Sequence, residues 1–132
     1  MRRTLLACLA LVLALTGCAG GTTAATETPT TAAHSETGTS GLPTVPLSSL
    51  PPEAQQAYEV IEQGGPYKYS QDDAVFGNRE GNLPDEDYGW YREYTVVTPG
   101  SSDRGARRFV VGEDGTYYYT DDHYQSFSEV IP

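Results

Sequence analysis

The chain has 132 residues and a formal net charge of −10, with eighteen Asp and Glu against eight Lys and Arg, and only two cysteines. That length suits one small domain with a single modest core. The acidic balance argues against a nucleic-acid coating or storage role, because phosphate attraction dominates non-specific affinity, but leaves room for brief engagement by an enzyme with one local basic cluster.

In chain order, Arg2 and Arg3 precede an apolar run from Leu5 to Leu15 that is broken only by small residues and Cys8. A basic start, a short apolar core and a small-residue exit make residues 1–17 a secretory signal peptide. The run is too short to span a bilayer as a helix, which takes about 20 apolar residues. It ends in Leu15-Thr16-Gly17-Cys18, which resembles the lipobox of bacterial lipoproteins. That resemblance implies that the Cys18 thiol is alkylated with diacylglycerol and that Cys18 becomes the first mature residue. The expected location is then outside the cell, anchored to its membrane, with release into the medium as the other outcome. Two acyl chains hold a protein stably where one holds it marginally. Ordinary signal cleavage nearby is the alternative. Cys8 leaves with the signal, so no intramolecular disulfide is expected and stability rests on the core.

Residues 18–46 are rich in Thr, Ala, Gly, Ser and Pro, with Glu27 and Glu36 the only acidic residues. Such a segment lacks the apolar surface to offset ordering entropy. It reads as a flexible tether, and His34 within it as incidental.

Residues 47–132 hold the single Trp, all ten Tyr and all three Phe, and their formal charge equals that of the whole chain. They read as one domain, with Arg104, Arg107 and Arg108 as its basic cluster. Leu50-Pro51-Pro52-Glu53 predicts a helix start, since prolines suit a first turn and acidic or hydroxyl residues favour an N-terminus. Leu50, Ala54, Ala57 or Tyr58, and Ile61 recur at helical spacing, and Gly64-Gly65-Pro66 predicts the stop. Strands are predicted over Tyr91–Val97, Arg107–Val111, Thr116–Thr120 and Ser126–Val130, separated by turn chemistry at Thr98-Pro99-Gly100, Glu113-Asp114-Gly115 and Asp121-Asp122. One helix followed by hairpin-linked strands gives an α+β domain, the helix packed on a twisted antiparallel sheet.

Alternation sorts the strand residues by face. With Tyr94 and Val96 in the core, Glu93 projects from the opposite face. If Phe109 and Val111 are also core, Arg108 joins Glu93 outside it and Arg107 lies on the other side.

At these residues the chain resembles a known family. The segments Leu47-Ser48-Ser49-Leu50-Pro51-Pro52-Glu53-Ala54, Tyr69-Ser70-Gln71-Asp72, Val75-Phe76-Gly77-Asn78-Arg79-Glu80 and Leu83-Pro84 carry the likeness. So do Tyr91-Arg92-Glu93-Tyr94-Thr95-Val96, Thr98-Pro99-Gly100, Arg104-Gly105 to Arg108, and Asp122-His123-Tyr124. Together, in order through the whole of 47–132, they resemble the guanyl-specific ribonucleases of the streptomycete type, of the microbial ribonuclease superfamily and distantly barnase-like.

The resemblance implies a domain that cleaves single-stranded RNA without metal or other cofactor. The ribose 2′-hydroxyl attacks the adjacent phosphorus, giving a 2′,3′-cyclic phosphate and then a 3′-phosphate. Glu93 matches the general base and His123 the general acid, each typically worth about 10² to 10⁴ in rate. Arg104 and Arg108 match the phosphate clamp, where a planar fork suits non-bridging oxygens better than a lysine, and Tyr124 adds a hydroxyl. Glu80 matches the guanine-reading carboxylate, which can accept from N1 and N2 of guanine but meets an acceptor at N1 of adenine; a mismatch of buried polar groups can give large discrimination. Backbone N–H groups of Asn78 and Arg79 are expected to serve O6, with Phe76 or the Arg79 plane stacking on the ring, as single-stranded bases allow. A barstar-like protein inhibitor and a monomeric state are further expectations.

Singly, each residue has a plainer explanation: Glu93 as a solvent-facing strand residue, His123 in a surface turn, Phe76 in the core, the arginines on a strand edge. Arg107 keeps that explanation, and Asp85-Glu86-Asp87 reads as a solvated loop. The joint pattern favours an enzyme over a surface-tethered RNA- or nucleotide-binding domain without turnover. A toxin acting on neighbouring cells would share the chemistry. The chain also departs from the pattern. Relatives join their ends by a disulfide, whereas Pro46 stands at the first cysteine's place and the chain stops at Pro132 without the second; a missing bridge can cost about 2 to 5 kcal/mol. Gly77 stands where a larger residue is common, and Asp121 where a glycine is common. Aspartate tolerates positive φ better than most residues.

Overall fold

The computed structural model describes residues 37–132. The expected signal peptide, Cys18 and the tether as far as residue 36 lie outside the described residues.

Six strands and one helix make up the domain: β1 (Thr44–Pro46), α1 (Pro52–Glu62), β2 (Ala74–Phe76), β3 (Tyr91–Thr95), β4 (Arg108–Gly112), β5 (Tyr117–Thr120) and β6 (Ser128–Ile131). One sheet runs β1-β6-β5-β4-β3-β2, with β1 parallel to β6 and every other pair antiparallel. This is the expected α+β arrangement.

The helix begins at Pro52, two residues after the expected Leu50, because Pro52 fits a first helical position while Leu50 stays extended. Its end is a Schellman arrangement: Gly65 N–H reaches Val60 O and Gly64 N–H reaches Ile61 O, both at 2.9 Å, with Gly64 at φ +75°. The β4–β5 turn is closed as its sequence suggests. Asp114 accepts from both the N–H and the hydroxyl of Thr116, and Gly115 takes φ +82°.

The folded unit begins earlier than Leu47. Thr44–Pro46 pairs with Glu129–Ile131, and the preceding turn is held by the Glu129 carboxylate. Glu129 accepts from the N–H and hydroxyl of Thr39 at 3.2 and 3.1 Å and of Ser40 at 2.9 and 2.5 Å. The reading of residues 37–46 as tether is therefore corrected. Their composition is polar, but the partners that satisfy it come from the far end of the chain. Pro46 lies opposite Ile131, so strand pairing joins the two ends where relatives were expected to use a disulfide.

Each face of the sheet is covered. Against α1 pack Tyr94, Val96, Phe109, Tyr117, Tyr119 and Val130 with Leu50 and Ala54, and Ala57, Tyr58, Ile61 and Val111 border them. The opposite face carries a second apolar cluster of Leu83, Tyr91, Val110, Tyr118 and Phe127, bordered by Leu42, Phe76, Trp90 and Tyr124. Glu93, Thr95, Arg108 and Thr120 share that second face, as the register shows: Glu93 faces Val110, Thr95 faces Arg108, and Arg108 faces Thr120. One half of this face is aromatic packing and the other half is polar.

Candidate active site

Glu93 sits near the middle of β3, where the pleat turns its carboxylate away from α1. Its Oε2 accepts from the Tyr124 hydroxyl at 2.6 Å, and its Oε1 lies 3.4 Å from Arg104 Nη2. Burial, the hydrogen bond to Glu93 and that carboxylate's charge push the Tyr124 phenol up to about 12. Tyr124 is therefore a donor throughout the working pH range and never a base.

Arg104 is aimed by two further groups. Its Nε donates to Thr95 Oγ1 at 2.9 Å, and its Nη2 is 3.8 Å from Asp72 Oδ1. Asp72, nearly buried, also accepts the Thr95 backbone N–H at 2.7 Å and the Tyr69 N–H at 3.2 Å. Neither Asp72 nor Thr95 was assigned a role from sequence. Alternation already put Thr95 on the Glu93 face, but the link to Asp72 spans 23 positions and leaves no local pattern.

Arg108 is not solvent-facing, as a strand-edge arginine would be; it is 3% exposed. Nη1 donates to the carbonyls of Arg104, Gly105 and Arg107 at 3.4, 2.9 and 2.7 Å. The guanidinium carbon lies 5.9 Å from the Tyr124 ring centroid. Nε, however, is buried with no partner. A buried unpaired donor costs about 1–3 kcal/mol, more when charged. Arg107 points the other way, as alternation requires, and pairs with Glu53 at 3.5 Å.

His123 and Tyr124 follow β5 in a turn built by Asp122. Its carboxylate accepts from the Thr120 hydroxyl, from Ser126 N–H and from the Ser126 hydroxyl at 2.8, 2.9 and 2.5 Å. The Ser126 bonds first, with that from Thr120, hold it down at about 2. Positive φ falls on His123 (61°) and Tyr124 (70°) rather than on Asp121, which corrects the expectation for Asp121. His123 N–H reaches Ala106 O at 3.2 Å and Tyr124 N–H reaches Thr120 Oγ1 at 3.1 Å. The His123 ring is exposed, 5.1 Å from that of Tyr124.

Residues 77–84 form a loop above the same face. Asn78, at φ +43°, spends its side chain on the loop itself: Nδ2 donates to Leu83 O and Pro84 O, and Oδ1 accepts Leu83 N–H. Among the described residues, the Asn78 and Arg79 backbone N–H groups are given to no other group. Phe76 is half-buried and stacks on Tyr124 at 5.1 Å, so it borders both the second cluster and the site. Arg79 and Glu80 are exposed.

Two open depressions meet at Glu80 and Tyr124. One is lined by Phe76, Asn78, Arg79 and Tyr88, and the other by Asn82, His123 and Gln125. The more apolar groove between α1 and β3, lined by Ala57, Ile61, Tyr67 and Tyr94, contains neither Glu93 nor His123. The expected residues are thus gathered on one face: Glu93 in contact with Tyr124 and Arg104, Arg108 against the Tyr124 ring, His123 on the same turn, and the 76–80 loop beside them. Guanidinium groups and a carboxylate on the face that also carries an imidazole can together bind an anion and move protons.

Comparison with known proteins gives the family. A family model described as ribonuclease matches residues 32–131. The chain is 63% identical over 93 residues to guanyl-specific ribonuclease St of Saccharopolyspora erythraea, covering 70% of this chain and 92% of that protein. It is 55% identical over 86 residues to guanyl-specific ribonuclease Sa of Kitasatospora aureofaciens, covering 64% of this chain and 90% of that protein. A crystal structure of ribonuclease Sa2 with guanosine-2′-cyclophosphate superposes with TM-score 0.66 at 47% identity, covering 69% of this chain and 97% of that one. With most of its length matched by the family model, and relatives this similar, the chain belongs to the ribonuclease family.

Proposed function

We propose that this protein is a guanyl-specific endoribonuclease that cleaves single-stranded RNA on the 3′ side of guanosine by transesterification. The observation that carries the proposal is the buried Arg108 Nε without a partner, beside a carboxylate held by Tyr124 and Arg104. A phosphodiester there would take the Nε–H and compete for Tyr124 and Arg104, freeing Glu93. Glu93 then takes the 2′-hydroxyl proton, the 2′-oxygen bonds to phosphorus, and the bond from phosphorus to the 5′-oxygen breaks. A protonated His123 gives its proton to that oxygen. The products are a guanosine 2′,3′-cyclic phosphate end and a free 5′-hydroxyl. In the second step the roles reverse: His123 takes a proton from water and Glu93 returns one to the 2′-oxygen, leaving a 3′-phosphate. Arg104 and Arg108 hold the equatorial oxygens throughout, where fixed donors stabilise developing charge.

Guanine selection falls to the 76–80 loop: Glu80 for N1 and N2, the backbone N–H groups of Asn78 and Arg79 for O6, and Phe76 or Arg79 for the ring face. Two relatives are named guanyl-specific ribonucleases, and ribonuclease Sa2 has been solved with mononucleotides. Digestion of a defined RNA with product mapping tests the reading. Cuts after guanosine with a cyclic-phosphate transient are expected, and cuts elsewhere oppose it. Binding of guanosine 3′-phosphate without any cleavage would favour the binding-domain alternative.

We further propose export and anchoring through a lipidated Cys18, on the strength of the sequence signal alone. Mass spectrometry of native protein should find a modified Cys18 at the mature N-terminus, and Cys18→Ala should release the domain.

A further inference from the structure

We infer that Asn82 is a positioning residue, whose carboxamide ties the turn carrying His123 to the 77–84 loop and thereby sets the imidazole over the departing 5′-oxygen. The inference rests on the ribonuclease reading above.

Asn82 Nδ2 donates to Tyr124 O at 3.0 Å across 42 positions of chain. A carbonyl can only accept, so the amide must present its NH2 side. The base of the tie is firm: the next residue, Leu83, is buried in the second cluster and its N–H is held by Asn78 Oδ1 at 3.1 Å. The far end needs support. His123 and Tyr124 are consecutive non-glycine residues at positive φ, a conformation that persists only when its surroundings hold it. Ala106 O and Thr120 Oγ1 hold the two N–H groups of this turn, and Asn82 holds the carbonyl side. The contact of Phe76 with Tyr124 is a ring stack at 5.1 Å, which does not fix the rotation of a peptide plane as a directed hydrogen bond does.

His123 itself makes no side-chain hydrogen bond or ion pair among the described residues. Its imidazole is exposed and is placed by its backbone and by the Tyr124 ring. Whatever tilts the Tyr124 peptide therefore moves the acid. The backbones of Glu93 and Arg108 stand on paired strands and do not depend on the turn, and the Tyr124 ring that meets their side chains is held separately by its stack on Phe76. Loss of the Asn82 bond should accordingly weaken leaving-group protonation while sparing attack by the 2′-oxygen.

Two substrates separate these effects. A guanylyl dinucleotide expels an alkoxide that needs a proton, whereas guanosine 3′-(4-nitrophenyl phosphate) expels a phenolate that does not. With Asn82→Asp, which keeps the shape and removes the donor, and with Asn82→Ala, kcat on the dinucleotide should fall about tenfold, because a misplaced acid is costly, with KM little changed. The nitrophenyl ester should turn over at the wild-type rate, which also reports an intact fold. In a His123→Ala background, Asn82→Asp should have no further effect, since both act on one step. Equal losses on both substrates, no loss on either, or an additive loss in the His123→Ala background would overturn the inference. A wild-type protein that cleaves neither substrate would refute the ribonuclease reading, and this inference would fall with it.

Discussion

The two faces of the sheet are closed by different means. Against the helix, Phe109, Val96 and Tyr94 pack under Leu50 and Ala54, with Phe109 and Val96 fully buried. On the other face, Tyr91, Val110 and Tyr118 pack under loops, and the sheet then continues into Glu93, Thr95, Arg108 and Thr120. Packing density keeps the first face in place. The polar half of the second is kept in place by hydrogen bonds, which demand a partner for each donor. The donor left over on this half is Arg108 Nε, which the proposed function gives to a phosphate. The proposed reactive groups therefore sit on the face that hydrogen bonds close, backed by the face that apolar packing closes.

The sharpest break in this comparison sets Glu93→Gln against Phe109→Ala. Glu93→Gln keeps the shape and removes the proton acceptor. It should lower kcat on a guanylyl dinucleotide by about 10² to 10⁴ and leave the denaturation midpoint nearly unchanged. Phe109→Ala opens a cavity beneath Tyr117 and Tyr119 and should cost about 3 to 5 kcal/mol by urea denaturation. A Glu93→Gln protein that cleaves at the wild-type rate would remove Glu93 from the mechanism.

Arg108→Met tests the division of the second face more finely. It replaces the guanidinium with an apolar chain of similar length, so the unpaired Nε–H is gone while part of the packing remains. Binding of guanosine 3′-phosphate should weaken by about tenfold or more, as loss of a charge-assisted bond implies. The three carbonyls at 104, 105 and 107 lose their shared donor, which opposes any gain in stability. Unchanged nucleotide affinity, read by calorimetry, would move the anion site elsewhere.

The helix face was the legible one. Spacing in 50–61 and alternation in β3 and β4 placed Tyr94, Val96, Phe109 and the helix correctly, because periodicity records a buried side. Alternation also put Glu93 and Arg108 together and Arg107 apart. Strands β1 and β2 were not legible: three residues carry no alternation, and each is a strand only by pairing with β6 or β3. The burial of Arg108, the support from Asp72, and positive φ at His123 and Tyr124 were equally hidden, since each arises from contacts distant in sequence. The resemblance supplied the site residues where periodicity could supply only their faces.

The chain ends offer a smaller effect with a defined pH dependence. Burial raises Glu129, but four hydrogen bonds from Thr39 and Ser40 outweigh it and hold the carboxyl below its ordinary 4.5. A group depressed on folding contributes fully above its unfolded value, and the contribution fades as pH falls through the folded one. Glu129→Gln should cost about 1.5 to 3 kcal/mol near neutrality, the range for bonds to a charged group. Its thermal midpoint should approach that of the wild type as pH drops below 4.5. A gap that stays constant from pH 7 to 3 would mean that the charge of Glu129 plays no part in closing the ends.

The smallest expected effect is a gain, in the loop assigned to guanine. Gly77 stands where a larger residue is common, and its backbone is not in the left-handed region, where glycine would be required. A Cβ built there would meet Arg79 Cγ and Nε at 3.7 and 3.8 Å, ordinary contact with a flexible side chain. Gly77→Ala should therefore reduce the freedom of the unfolded chain without straining the folded one, raising stability by about 0.4 to 1 kcal/mol. The methyl would also rest against the Arg79 stem and restrict the arginine's range above Phe76. Affinity for guanosine 3′-phosphate should hold or rise slightly, because less motion is lost on binding. A drop in affinity with stability raised would show that the loop must move to admit the base, and that the second face of the sheet owes its reactivity to a cover that is loose as well as polar.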